Sequence, residues 1–195
     1  MSSLSLKRTS APAVEPVSVA EARAHLRVDS TAEDALIAGL ISAAREWVEQ
    51  STRRSLITQT WRLRLEELDD DECIELPRPP LQSVSSFVYV DSAGNSQTWA
   101  SSNYLVSTDC EPGELSVVFG EVWPPIREQE DAVTITYVAG YGATGASVPA
   151  PLKTAILLLV GHWYANRETV NIGNIMSVLP FTVESLISPY RVHYF

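Results

Sequence analysis

Gly140, Gly142 and Gly145 stand in the GxGxxG spacing by which a loop cradles a dinucleotide pyrophosphate at a helix N-terminus. That chemistry needs the third glycine inside the helix start, a parallel strand afterwards, and an acidic residue at the end of that strand. Here Pro149 and Pro151 separate the glycines from the next helical pattern, no strand pattern follows, and Glu168 lies at that helix's own end. The glycines read as a strand-to-helix hinge. A second candidate is the acidic run Glu66, Glu67, Asp69, Asp70, Asp71, Glu72 and Glu75. Calcium loops alternate their ligands and place a glycine at the turn, whereas four of these carboxylates are consecutive and no glycine is present. A solvated loop is the plainer reading. His25, His162 and His193 are far apart and lack HExxH spacing, and Cys73 and Cys110 belong to no CxxC or Cys/His pattern. There is no GxSxG and no GxxxxGK[ST]. The chain is therefore expected to have no catalytic, cofactor-binding or metal site and to use no cofactor.

With reaction chemistry unsupported, the informative feature is the pattern that builds a core. Residues 148 to 168 read VPAPLKTAILLLVGHWYANRE, with Leu152, Ala155, Ile156, Leu159, Val160, Trp163 and Tyr164 at helical spacing. Leu157 and Leu158 widen that stripe almost to a full cylinder, so the helix needs partners on several sides. Pro151 fits its first turn, where a missing N–H costs nothing. His162 reads as a packing residue on this helix. The matching surface is a long helix over about 32 to 51, with Leu36, Ile37, Leu40, Ile41, Ala44, Trp47 and Val48 on one side. Leu36, Leu40, Trp47, Ile156, Leu159 and Trp163 are the expected helical core. Ser18 with Glu21 forms a capping-box pattern for a short helix to Leu26, and Ser30 or Thr31 with Glu33 and Asp34 suggests the same for the long one.

Between these helices the period changes from 3.6 to 2. Trp61, Leu63 and Leu65 alternate with Arg62, Arg64 and Glu66, and strands are expected at 73–76, 84–90, 97–99, 104–106, 115–119 and 133–139. Asp91 to Asn95 has hairpin-loop chemistry, and the short connections leave room only for antiparallel pairing. The fold class is α+β: a small helical bundle, made of N-terminal helices and a long C-terminal helix, carrying an inserted antiparallel β domain. The expected boundaries are a flexible N-terminal arm over 1–15, a discontinuous bundle of 16–56 plus 148–170, the insertion over 57–147, and a C-terminal tail over 171–195.

The 195 residues are 45% hydrophobic and 19% charged, the balance of a globular chain. The 24 acidic and 14 basic residues give a net charge of −10, which opposes a general phosphate-gripping surface. The basic N-terminus lacks the apolar run of a signal peptide and no stretch has membrane-span length, so a soluble, unexported chain with reduced cysteines is expected.

Taken in order, SVAEARAHLRVD, EDALIAGLISAAREWVEQSTRRSLITQTW, ELPRPPLQSVSSFVYVDSAGN, VTITYVAGYG, VPAPLKTAILLLVGHWYANRE and LPFTVESLISPYRV resemble the head-tail connector family of tailed phages, prophages and phage-derived gene transfer particles. No single motif is diagnostic; their order and spacing carry the resemblance over most of residues 16 to 192. It implies a virion neck protein, a head-completion adaptor assembled in the bacterial cytoplasm as a dodecameric ring. The portal protein would lie above it and a stopper or tail protein below, with DNA passing through its channel without sequence-specific binding and no membrane involved. Other neck components, a stopper or tail terminator, are usually β-rich without two long helices, and a virion-associated hydrolase lacks a constellation here. The tail, with Phe181, Leu186, Ile187, Tyr190, Arg191, Tyr194 and Phe195, is the expected portal-docking element, because aromatic and apolar side chains with a directional arginine are interface anchors.

Overall fold

A computed structural model describes residues 5–68, 73–167 and 181–192. The chain divides into two compact units.

The helical unit contains residues 13–57 and 141–192 of the described chain. Helix α1 (Val19–Leu26) starts with the expected reciprocal cap: the Glu21 amide donates to Ser18 Oγ at 3.2 Å, and the Ser18 amide donates to Glu21 Oε2 at 2.8 Å. Helix α2 (Asp34–Thr52) starts differently from expectation. Ser30 Oγ accepts from the Ala32 amide at 3.1 Å, closing a local turn before the helix, and Glu33 occupies the N-cap without a side-chain bond. A serine that serves its own turn cannot also cap the helix beyond it.

Along α2 the buried apolar residues are Ile37, Ile41, Ala44 and Val48, spaced 4, 3 and 4, which defines one face. Leu40 and Trp47 flank that face and are partly buried against the same core. Leu36 was expected in the core and is 41% exposed. It sits one residue, about 100° of helix rotation, from Ile37, on the first turn of the helix and off its buried face. Helix α3 (Ala150–Ala165) packs its fully buried Leu152, Ala155, Ile156, Leu159 and Val160 into this core, with Trp163 partly buried at its far end. Helix α4 (Phe181–Ile187) adds Val183 and Ile187, both at 0% exposure.

The β unit contains residues 5–12 and Thr58–Gly140. Strands β1 (Ser5–Ser10), β2 (Gln59–Leu65), β8 (Val133–Ala139), β4 (Leu81–Val90) and β5 (Ser96–Trp99) form one antiparallel sheet in the order β1-β2-β8-β4-β5. Strands β3 (Ile74–Leu76), β7 (Gly113–Val117) and β6 (Tyr104–Ser107) form a second, in the order β3-β7-β6. Leu63, Ile135 and Phe87 from the first sheet meet Leu76, Leu115 and Tyr104 from the second in one core. Its aromatic centre has Phe87 and Trp99 centroids 5.0 Å apart and Trp99 and Trp123 centroids 5.2 Å apart, within the range where such pairs add to area burial. The Tyr137 hydroxyl, buried in this core, donates to the Pro77 carbonyl at 2.7 Å.

The hairpin between β4 and β5 is held as its residues suggest. Asp91 Oδ1 accepts from the amides of Ala93 and Asn95 at 3.0 and 2.9 Å, and Gly94 takes φ +89°. Strand β1 is a correction to the flexible arm expected over 1–15: residues 5–10 pair in register with β2, Leu6 opposite Leu63 and Arg8 opposite Trp61.

Candidate interaction surfaces

Of the residues expected to dock, Phe181, Leu186 and Ile187 lie on α4, Tyr190 on the 3-10 turn Ser188–Tyr190 that follows it, and Arg191 directly after that turn. Two bonds hold this segment to α2 and its exit. The Val192 amide donates to the Thr52 carbonyl at 3.0 Å and Arg54 Nε donates to the Tyr190 carbonyl at 2.6 Å, while within α2 the Thr52 hydroxyl donates to the Val48 carbonyl at 2.7 Å. With Val183 and Ile187 in the core, the segment from 181 to 192 is an integral layer of the helical unit, where a separate tail was expected. Ile187 is thus a core residue in this conformation, consumed by packing instead of being presented outward. Leu186 and Tyr190 are partly buried against the same core, and Arg191 is exposed with Nη2 2.6 Å from Glu184 Oε1. Tyr194 and Phe195 lie outside the described residues, as do the side chain of Phe181 and the central part of the acidic run.

A buried polar cluster fixes the entry into the helical unit. Arg45, 5% exposed, donates through Nε to Glu15 Oε2 at 2.8 Å and through Nη1 to Glu49 Oε2 at 2.9 Å. Glu49 Oε1 accepts from the Leu56 amide at 3.0 Å, and Ser42 Oγ donates to Glu15 Oε1 at 2.7 Å. Burial alone pulls the guanidinium pKa down, but the surrounding carboxylates of Glu49, Glu15 and Glu46 outweigh it and leave it raised. These bonds hold the segment before α1, α2 and its exit together, so the cluster positions backbone.

At the other end of α3, the Tyr164 hydroxyl donates to Glu33, whose other oxygen is 2.8 Å from Arg167 Nη2, and the Arg167 guanidinium lies 4.6 Å from the Tyr164 ring centroid. The Tyr164 hydrogen bond and then Arg167 hold the Glu33 carboxyl below its ordinary range, and the same bond raises the Tyr164 phenol. This ties the N-cap of α2 to the end of α3. Near the start of α3, Lys153 Nζ is 2.9 Å from Glu21 Oε1, so the capping glutamate of α1 also bridges to α3. Lys153, then the Ser18 amide and hydroxyl, lower the Glu21 pKa to about 2.

The GxGxxG segment does not build a nucleotide cradle. Gly142, at φ +159°, lies against Ser147, whose Oγ would be 2.4 Å from an added Cβ, and Gly145 lies equally close to the Pro16 carbonyl oxygen. A 3-10 turn over Gly145–Ser147 separates these glycines from α3. Their closeness to chain atoms explains the glycines without a ligand. Among the described residues no group of three or more His, Cys, Asp or Glu side chains is arranged to hold a metal, and no helix is long and apolar enough to cross a membrane. Cys73 and Cys110 are unpaired.

One surface had only a faint sequence signal. Phe119 is fully exposed and Val122 is 76% exposed, on the connection after β7. Val-Phe-Gly-Glu-Val ahead of Trp-Pro-Pro has the composition of an apolar turn tip, and the strand expected over 115–119 ends at Val117, before Phe119.

The described clusters hold parts of this one chain against each other. Solved structures share its fold over nearly their whole length. A chain from the virion of a native gene transfer agent particle has 28% identity and a TM-score of 0.81, covering 97% of this chain and 96% of that one. A chain from the neck of an empty gene transfer agent particle computed with C6 symmetry has 28% identity and a TM-score of 0.79, covering 98% and 97%. One from the neck of a native particle computed with C12 symmetry has 26% identity and a TM-score of 0.78, again covering 98% and 97%. No curated protein sequence matches the chain. Residues 15–192 match the head completion protein family, and the chain belongs to that family. Its role is that of a structural head-tail connector in the neck of a virion.

Proposed function

We propose that twelve copies of this chain form a ring beneath the portal protein, joining the head to the stopper or tail protein below and extending the channel through which DNA leaves. The observation that carries this reading is the agreement with neck chains at 97 to 98% coverage, including one from a neck computed with twelvefold symmetry. A near-complete match means that both units, with their connections, are shared with a protein of that location. The net charge of −10 suits a wall past which DNA slides, because lysines and arginines facing the phosphates would retard it. The chain performs no catalysis in this reading; its work is done by surfaces.

Contact with the portal is assigned to Leu186, Tyr190 and Arg191, at the margin of the packed C-terminal layer, together with Phe181, Tyr194 and Phe195. Removing the protein from particle-producing cells should leave filled or emptied heads without tails, and supplying it in trans should restore joined particles. Tailed, infective or gene-transferring particles in its absence would overturn the connector reading. A titration with short duplex DNA at near-physiological salt should show only weak, sequence-independent binding; submicromolar affinity would contradict the passive channel.

A further inference from the structure

The five-stranded sheet has one face turned away from the β core. Leu63, Ile135 and Phe87 point inward, so the residues alternating with them face outward: Arg62 and Arg64 on β2, Thr134 and Thr136 on β8, Val88 on β4, and Lys7 on β1. No strand residue on this face is a carboxylate, in a chain where acidic residues outnumber basic ones 24 to 14. Arg64 is paired with Asp131. Lys7 and Arg62 are direct cross-strand partners, and neither has an anionic partner among the described residues. Like charges directly opposite one another destabilise a sheet, and no carboxylate among the described residues pairs with either to relieve this repulsion.

The opposite chemistry is exposed on the connection between β7 and β8. The Glu121 amide donates to the Val118 carbonyl at 2.9 Å and Gly120 takes φ +91°, a turn that pushes Phe119 outward, followed by the exposed Val122. Glu121, Glu128 and Glu130 are exposed on the same connection without a partner among the described residues. An apolar tip flanked by carboxylates complements a sheet face with unpaired cations and the partly exposed Val88.

We propose that this connection, led by Phe119 and Glu121, docks on the Lys7/Arg62 face of the next copy, an inference that rests on the ring proposed above. The two surfaces are different, so the contact is head-to-tail, the type that closes into a ring when its rotation permits. DNA is the other anion at hand. Two unpaired cations are a small phosphate-binding set, and DNA would leave Phe119 and Val122 uncovered.

The test uses isolated particles treated with a water-soluble carbodiimide, which joins an amine to a touching carboxylate as an amide. The chain has two lysines, Lys7 and Lys153, and Lys153 is already 2.9 Å from Glu21 of its own copy. The expected result is a ladder of covalent oligomers of this chain, with Lys7 joined to Glu121, Glu128 or Glu130. The ladder should vanish in Lys7→Arg, which keeps the charge but cannot form the amide. The double variant Lys7→Glu/Arg62→Glu should lower incorporation into particles at least tenfold while the isolated chain melts as before. Lys7 joined to another protein, to its own copy or to nothing overturns the proposal, as does a Lys7 that becomes reactive only after nuclease treatment. If the chain is in the neck and Lys7 joins elsewhere, this contact fails and the ring stands; if the chain is absent from the neck, both fail.

Discussion

At the scale of single residues, the largest effects should come from the buried Arg45 cluster. Glu49→Ala strips Arg45 of its buried partner at 2.9 Å, leaving Glu15 to balance the charge, and takes away the acceptor of the Leu56 amide in a region almost without solvent. Removing one member of such a pair typically costs about 3–5 kcal/mol, and urea unfolding should show a loss of that size. The Glu21 carboxyl gives a pH signature of definite sign. Its pKa is depressed from 4.5 to about 2, so its contribution is complete above 4.5 and is lost as the pH falls through 2. Solvent screening at this half-exposed bridge limits the effect to about 1 kcal/mol. Glu21→Gln should therefore lower the melting temperature at neutral pH and flatten its decline in acid; an unchanged acid profile would remove the bridge from the stability of the bundle.

At the scale of elements, α4 decides how the C-terminus is understood. Ile187→Ala opens a cavity at a fully buried site and should cost about 2–5 kcal/mol, as should Leu159→Ala, whereas the exposed Leu36→Ala should change stability by less than about 0.5 kcal/mol. Deleting residues 180–195 removes Val183 and Ile187 as well as any docking surface, so it should unfold the bundle as well as block assembly. Deleting only residues 193–195 separates the two: melting should hardly move while joining to portal-bearing heads falls, and unimpaired joining would remove those residues from the docking surface.

The elements that were legible in sequence are those with a strong internal rhythm. Helix α3, the alternation from Trp61 to Leu65 and the Ser18/Glu21 cap could be read from spacing alone. Strand β1 could not, because Ser5 to Ser10 holds a single apolar residue and gains its conformation from bonds to β2, more than fifty residues away. The start of α2 was misplaced because a Ser/Thr followed by acidic residues looks alike whether it caps a helix or closes a turn before one. Leu36 and Ile187 show the remaining limit: adjacency and amphipathic character cannot say which elements will cover a residue. The unpaired Lys7/Arg62 face needed the strand register, which brings two ordinary surface cations opposite each other.

At the scale of the whole molecule, two compact units answer to different demands. The helical unit is tied by Arg45, by Glu21 with Lys153, and by Glu33 with Tyr164 and Arg167, so its helices are bridged at both ends as well as packed through apolar faces. The β unit buries an aromatic cluster and leaves polar, basic and apolar surface outside, the material of contacts with neighbours. In the proposed ring, an acidic chain that surrounds DNA without holding it tolerates local cations only where another acidic surface covers them. The most direct measurement is an electron cryomicroscopy reconstruction of the neck, computed without imposed symmetry, from particles carrying a small tag inserted in this chain's β4–β5 hairpin loop. Twelve equivalent tag densities between portal and tail are the expected result. Tags on the capsid, along the tail tube, or absent from the particle would contradict the connector assignment.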